Sequence, residues 1–226
     1  MTLHLYEKFT LLALHDEKGT LTSPFATYGM SAAIIAELLL EKRITVTDDR
    51  RKHVSVVSRT QFGDVMLDEA LNEITAGKKE RSLTHWVTKL AGTREFHHRI
   101  AERLVNRGIL TREEKKVLVF NRRTYPTRNP APEKALVDAL RDAIFGEGAD
   151  VPPRTAVMVS LANAAEFLPA LFGRKEIRKQ KARIQQVTNG ELTGKATAEV
   201  IEAMRAAIIV ATTVPAIVAA TSAASS

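Results

Sequence analysis

The sequence predicts a mainly α protein: a single globular helical domain from which β-hairpins protrude. Three observations carry this reading. Apolar residues recur at helical spacing through most of the 226 residues. One stretch, MSAAIIAELLLE at 30–41, is apolar on every face and belongs inside a helical core rather than on a surface. Two β-rich stretches, each with a charged turn, follow helical segments, and no proline-, glycine- or serine-rich linker divides the chain.

Taken in order, Leu5, Phe9, Leu12 and Ala13 share one helical face, and Gly19 marks the end of that segment. Tyr28–Glu41 is the central helix. Arg43–Val57 reads as a hairpin, with RITV and HVSVV on either side of DDRRK. Asp64–Ala76 is amphipathic, its early acidic residues suited to the positive end of a helix dipole, so Asp64, Asp68 and Glu69 are expected on a solvated face. Leu83–Leu90 and Arg94–Arg107 are two helices split by Ala91-Gly92-Thr93. Ile109–Phe120 is a second hairpin. Glu133–Phe145, Arg154–Phe172, Arg174–Val187 and the chain from Ala196 are helical, with Pro152, Pro153 and Gly190 as punctuation. Residues 206–221 are uncharged but interrupted by Pro215, and short of the roughly 20 apolar residues that span a bilayer. They read as a terminal core helix, with 211–226 a frayed alanine- and serine-rich tail. The domain is taken to run over 1–226.

Lysine and arginine exceed aspartate and glutamate by 33 to 26, a formal charge of +7, which directs attention to anionic partners. The absence of cysteine excludes disulfides, thiol chemistry and cysteine-ligated zinc. The N-terminus has no basic region leading into an apolar run, so no secretory leader is expected.

An internal echo, AELLLEKRI at 36–44 against AERLVNRGI at 101–109, precedes a hairpin each time, the outline of a winged-helix unit. A groove-reading helix presents polar and basic side chains. The 30–41 helix would offer apolar residues and carboxylates instead, so nucleic acid is not expected as a partner.

The most suggestive chemistry lies in GTREFHHR, 92–99. With Thr93 as N-cap, Arg94 and His97 would flank the first turn of a helix, where free N–H groups attract phosphate. Spaced three apart they would be surface neighbours, and protonation of His97 below about 6.5 would strengthen binding. His97 and His98, adjacent on a helix, diverge by about 100° and do not share a metal ion, so none is expected. NRRTYPTRNP, 121–130, places Arg122, Arg123 and Arg128 around Tyr125 in what reads as an exposed loop suited to an acidic bilayer surface. RKEIRKQKAR, 174–183, reads as a solvated basic face. No nucleophile motif or phosphate loop is present, and neither catalysis nor a cofactor is expected.

LLALHDEKGTL, AELLLEKRI, GDVMLDEAL, RLVNRGIL, KKVLVF and TYPTRN occur in this order over roughly Leu3–Ala211. In these segments the chain resembles the Golgi phosphoprotein 3 family, and its entry into the domain at Leu3 without a basic tail resembles a bacterial-type member. The resemblance implies a helical, non-enzymatic, cytoplasmic peripheral membrane protein that binds phosphatidylinositol 4-phosphate or a similar anionic phospholipid headgroup, and a trafficking-type adaptor. A soluble protein-interaction adaptor without lipid binding is the second reading. The family's headgroup pocket combines a tryptophan with three arginines. The matching positions here are Arg94, His97 and Ser31, with Phe25 the nearest aromatic, while Trp86 lies elsewhere. The 117–130 hairpin, which holds Arg122, Arg123, Tyr125 and Arg128, is the expected membrane or homo-oligomer contact.

Overall fold

The fold is built around one helix that has almost no outer face. The structure, a computed structural model, describes residues 2–205 except 24, 50, 51, 118, 119, 149 and 196, and of 115–117, 120 and 121 the backbone alone. The hub is α2 (Ala26–Leu40), preceded by α1 (Leu5–Ala13). Met30, Ala32, Ala33, Ile34, Ile35, Ala36 and Leu38 of α2 are all fully buried. Small residues make this possible: a Cβ on Gly29 would lie 2.1 Å from Cζ of Phe9, so only glycine lets α1 approach this closely.

After α2 come β1 (Ile44–Val46) and β2 (His53–Val56), then α3 (Val65–Thr75), β3 (Arg81–Ser82), α4 (Leu83–Ala91) and α5 (Phe96–Asn106). β3 pairs antiparallel with β2, so the expected first hairpin is the larger part of a three-stranded sheet. Next are β4 (Glu113–Val117), β5 (Phe120–Thr124), α6 (Ala131–Phe145), α7 (Pro153–Ala164), α8 (Leu168–Phe172), α9 (Arg174–Lys179) and α10 (Lys181–Thr188). The chain is helical again over 197–205. Helices α1, α3, α4, α5 and α7 all pack on α2, which leaves that helix no face to lay in a nucleic-acid groove. Among the described residues no helix is long and apolar enough to cross a membrane.

Three expected elements are placed differently. The second hairpin is shifted from Ile109–Phe120 to 113–124, with Glu113 opposite Thr124 and Val117 opposite Phe120. Ile109 and Leu110 instead bond back to the Leu104 carbonyl and are buried, closing the end of α5 through Gly108 at φ +70°. The Arg154–Phe172 helix breaks after Ala164, where Glu166 takes a left-handed conformation and Pro169 opens α8. Arg174–Val187 divides at Gln180 into α9 and α10. The expected terminal helix from 206, the 211–226 tail and the 118–119 hairpin tip lie outside the described residues.

Three buried carboxylates pin the hub. Glu37 of α2, with no exposed surface, accepts from the Leu5 N–H at 2.9 Å, faces His4 Nδ1 at 3.1 Å and pairs with Arg154. Glu7 is held by Arg107 at 2.7 and 2.9 Å. Asp64 caps α3 by accepting from the Met66 and Leu67 N–H groups, and also accepts from the Tyr6 hydroxyl and from Arg103. It is therefore a buried cap and not part of the solvated acidic face, because α1 and α5 close over the start of α3. Asp68 bonds the Phe62 and Gly63 N–H groups, and Glu69 pairs with Arg99.

Candidate functional site

A cleft of about 660 Å³ opens where three segments meet: the α1–α2 connection (Leu14, Gly19, Thr20, Leu21), the start of α5 (Glu95, His97, His98) and the end of β5 (Arg122, Arg123, Tyr125). Gly19 makes the junction possible. At φ +59° its N–H lies in a turn, and a Cβ there would be 2.3 Å from the backbone of Tyr125 and Pro126. Its carbonyl accepts from the Tyr125 N–H at 2.8 Å, which docks the hairpin exit onto the loop.

α5 turns Phe96, Ile100, Ala101 and Leu104 inward, which leaves His97 and His98 facing the cleft. The helix starts later than the sequence indicates. Glu95 is left-handed at φ 61°, the first helical bond runs from the Arg99 N–H to the Glu95 carbonyl, and Arg94 lies in the turn before it. Thr93 does not cap; its hydroxyl points back toward the Lys89 carbonyl at 3.5 Å. Arg94 and His97 are therefore not neighbours on one helix surface, since the left-handed Glu95 separates them. Arg94 is exposed and does not line the cleft.

The electrostatics differ from a row of free cations. Arg123 pairs with Glu95, which holds that carboxyl below its usual range. Arg122 is exposed and has no ion pair among the described residues. Burial, with His98 beside it, pushes His97 down to about 4, so it is a neutral imidazole at physiological pH. The two imidazoles lie 3.8 Å apart between centroids. Burial followed by Arg123 also lowers His98. Its Nδ1 is 3.0 Å from the Tyr125 hydroxyl, which in turn donates to Glu102 at 3.2 Å. Because the phenol has one proton and Glu102 takes it, the Nδ1–H tautomer of His98 completes the chain. The wall thus offers one free guanidinium, a charge-compensated second, neutral imidazoles and the N–H groups at the start of α5.

The sequence-selected residues divide accordingly. His97, Arg122, Arg123 and Tyr125 come together, and Arg94, Arg128, Phe25 and Ser31 do not line the cleft. Tyr125 is not in an exposed loop. It is 1% exposed and packs with Leu11, Leu14, Ala101, Leu104, Ile109 and Leu110, because β5 runs through Thr124 and delivers the next side chain into that cluster. Burial pushes its phenol up to about 12. Ser31 has no exposed surface, and its hydroxyl lies 2.9 Å from both the Tyr28 and Val87 carbonyls. It joins α2 to α4 and presents no surface, since α2 has no free side at that position. Phe25 is 37% exposed at the start of α2. Glu95, Gly19 and Glu102 were not singled out by the sequence; the signal for Gly19 was its place between LHDEK and TL, read only as a helix stop. Among the described residues no group of three or more histidines and carboxylates is arranged to hold a metal ion.

Fold and cleft together define a helical domain with a partly basic surface site at a helix start. The sequence profile of Golgi phosphoprotein 3 (GPP34) matches residues 5–204, and the chain belongs to that family. It is also similar to vacuolar protein sorting-associated protein 74 of Eremothecium gossypii, 29% identical over 156 residues, a match covering 60% of this chain and 47% of that protein. The chain spans about half the length of this curated relative.

Proposed function

We propose that this chain is a non-enzymatic peripheral membrane protein of the trafficking-adaptor type that binds an anionic phospholipid headgroup in the His97–Arg122 cleft. The supporting observation is the convergence of His97, Arg122 and Arg123, from segments distant in sequence, at the start of α5. Free N–H groups at a helix start and an unpaired guanidinium favour a phosphate there. Arg94 and Arg128, exposed outside the cleft, add long-range attraction to an acidic surface, about 1 kcal/mol for each basic residue close to it. Phe25 supplies an exposed aromatic at the start of α2. The 117–130 hairpin is the proposed self-association segment: its two-stranded sheet has unpaired outer edges among the described residues. Membership of the family and the similarity to a vacuolar protein sorting-associated protein support the adaptor role.

The test is co-sedimentation with vesicles of phosphatidylcholine alone and with added phosphatidylinositol 4-phosphate or phosphatidylserine, near 0.1 M salt, where the screening length is about 10 Å. Binding to the acidic vesicles is expected, and Arg122→Gln should weaken it several-fold. Equal binding to neutral and acidic vesicles would defeat the proposal.

A further inference from the structure

The basic segment 174–183 is not a uniformly solvated face. Along α9 and α10 a single stripe runs at helical spacing through Arg174, Ile177, Arg178, Lys181, Ile184, Gln185 and Thr188, continuing across the break at Gln180. This stripe forms one wall of a cleft of about 580 Å³. Asn163, at the end of α7, and Arg205, from the 197–205 helix, complete it. Four cations therefore converge from separate segments onto one concavity, and its lining includes no aspartate or glutamate.

The charge there is not cancelled by the protein. The side chains of Arg174, Arg178 and Lys181 have no hydrogen bond or ion pair among the described residues. Glu176, the acidic residue of α9, is taken by Lys179 at 2.9 Å. Arg205 is held by neutral acceptors, Asn189 Oδ1 at 2.8 Å and the Thr188 carbonyl at 3.5 Å, so its charge is oriented without being neutralised. No residue outside the described set is acidic; 206–226 in particular contains neither aspartate nor glutamate. No side chain of the segment that follows Arg205 supplies the counter-charge.

Like charges gathered in a concave, partly apolar site repel one another, and the repulsion is relieved by a bound anion. Arginine's planar fork matches phosphate oxygens, and Lys181 adds a point charge. Beneath these cations, Ile177 is half-buried and Ile184 buried. The volume falls within the range of small-molecule sites. We infer that the α9–α10 cleft binds a multiply charged phosphate group, a phosphate monoester or pyrophosphate, carried on a small body whose apolar part rests on Ile177 and Ile184. This site is separate from the His97–Arg122 cleft, shares no lining residue with it and requires no membrane.

Inorganic pyrophosphate is the probe, titrated calorimetrically into the whole chain near 0.1 M salt. Saturable binding is expected, weakened at least tenfold in Arg178→Gln/Lys181→Gln and kept in Lys175→Gln, an exposed neighbour that does not line the cleft. The substituted side chains are exposed, so unchanged thermal unfolding without ligand should accompany the loss. Absence of pyrophosphate binding in the natural sequence, or equal binding in the double variant, overturns the inference. Competition then identifies the source, and either result upholds the site. Displacement by phosphatidic acid in phosphatidylcholine vesicles, but not by phosphatidylcholine alone, identifies a lipid headgroup. Displacement by soluble glycerol phosphate but not by the vesicles identifies a free metabolite.

Discussion

Arg154→Met tests whether the buried carboxylates are held as the structure indicates. Arg154 reaches from the start of α7 to Glu37 on the hub helix and to Glu41. Cutting one partner from a buried pair costs about 3–5 kcal/mol, because the other charge stays behind without compensation. Two features reduce that here. The Arg154 side chain is 37% exposed, so part of its charge already interacts with water, and Glu37 keeps the Leu5 N–H and His4. The exposed Glu41 pair adds little. About 2 kcal/mol is expected, a fall of about 4–8 °C in Tm for a domain of this size. The loss should depend on pH in a defined direction. The hydrogen bond to Glu37 raises His4 above its usual value despite burial. A raised histidine gives its full stabilisation below about 6.5 and loses it as pH rises through the folded-state value. In the variant the imidazolium is the remaining side-chain cation on Glu37, so the penalty should be larger at pH 8.5 than at pH 6. Urea unfolding followed by circular dichroism at both pH values measures it. A loss below about 0.5 kcal/mol at both, or a larger loss at the lower pH, would refute the buried-pair account.

Three further outcomes follow from the same geometry. Binding to acidic vesicles should change little between pH 8 and pH 5.5 in its His97 contribution, since that imidazole titrates near 4, and a His97→Gln variant should show the same profile as the natural sequence. Burial and the facing Asp16 push Glu133 up to about 7. The native state therefore holds more protons than the unfolded chain between about 4.5 and 7, and stability falls as pH rises through that window. Glu133→Gln should accordingly stabilise by about 1 kcal/mol at pH 8, after allowing for solvent screening, and by little at pH 4.5, as read by thermal melts. Gly29→Ala forces a shift of the fully buried Phe9 ring, whose centroid lies 5.3 Å from that of Phe167, and should cost about 1–3 kcal/mol in urea unfolding with the fold retained.

The helices were legible because their periodicity is local. MSAAIIAELLLE could only be a core helix, and α2 is buried along its length. What the sequence hid depends on contacts between distant segments. Glu37 was visible as a lone carboxylate in an apolar run, but its partners His4 and Arg154 are 33 and 117 residues away. The Ile109–Phe120 hairpin was misplaced for a related reason. Charged EEKK at 113–116 followed by apolar VLVF at 117–120 reads as a turn and a second strand, yet Ile109 and Leu110 are used to close α5 and fill the cluster around Tyr125. Tyr125 itself sits among arginines, a composition that signals exposure, and it is buried because Gly19 fixes the backbone next to it. The clefts were legible only in part. His97 was paired with Arg94, and Arg122 and Arg123 were placed in a separate loop, while α9–α10 was read as solvated, because sequence spacing does not show which faces become concave.

The resemblance gave the headgroup site three positions, Arg94, His97 and Ser31, and the structure alters the meaning of each. Ser31 is sealed between α2 and α4, so restoring an arginine by Ser31→Arg would place a charge in the core rather than rebuild a pocket; insoluble or unfolded protein is the expected result. His97 faces the cleft but is neutral, and Arg94 stands outside it beyond the left-handed Glu95. The positive charge within the cleft comes instead from β5, through Arg122 and Arg123, and Glu95 takes up the second of these. An anion bound there must therefore rely on Arg122 and the start of α5, or displace Glu95 from Arg123. The second route makes Glu95 a gate on affinity: Glu95→Gln would free Arg123 while leaving the backbone turn, whose left-handed residue glutamine also tolerates poorly, at similar cost. Vesicle binding should then strengthen in Glu95→Gln and weaken more in Arg122→Gln than in Arg94→Gln, whereas a site centred on Arg94 would reverse the order of the two arginine variants.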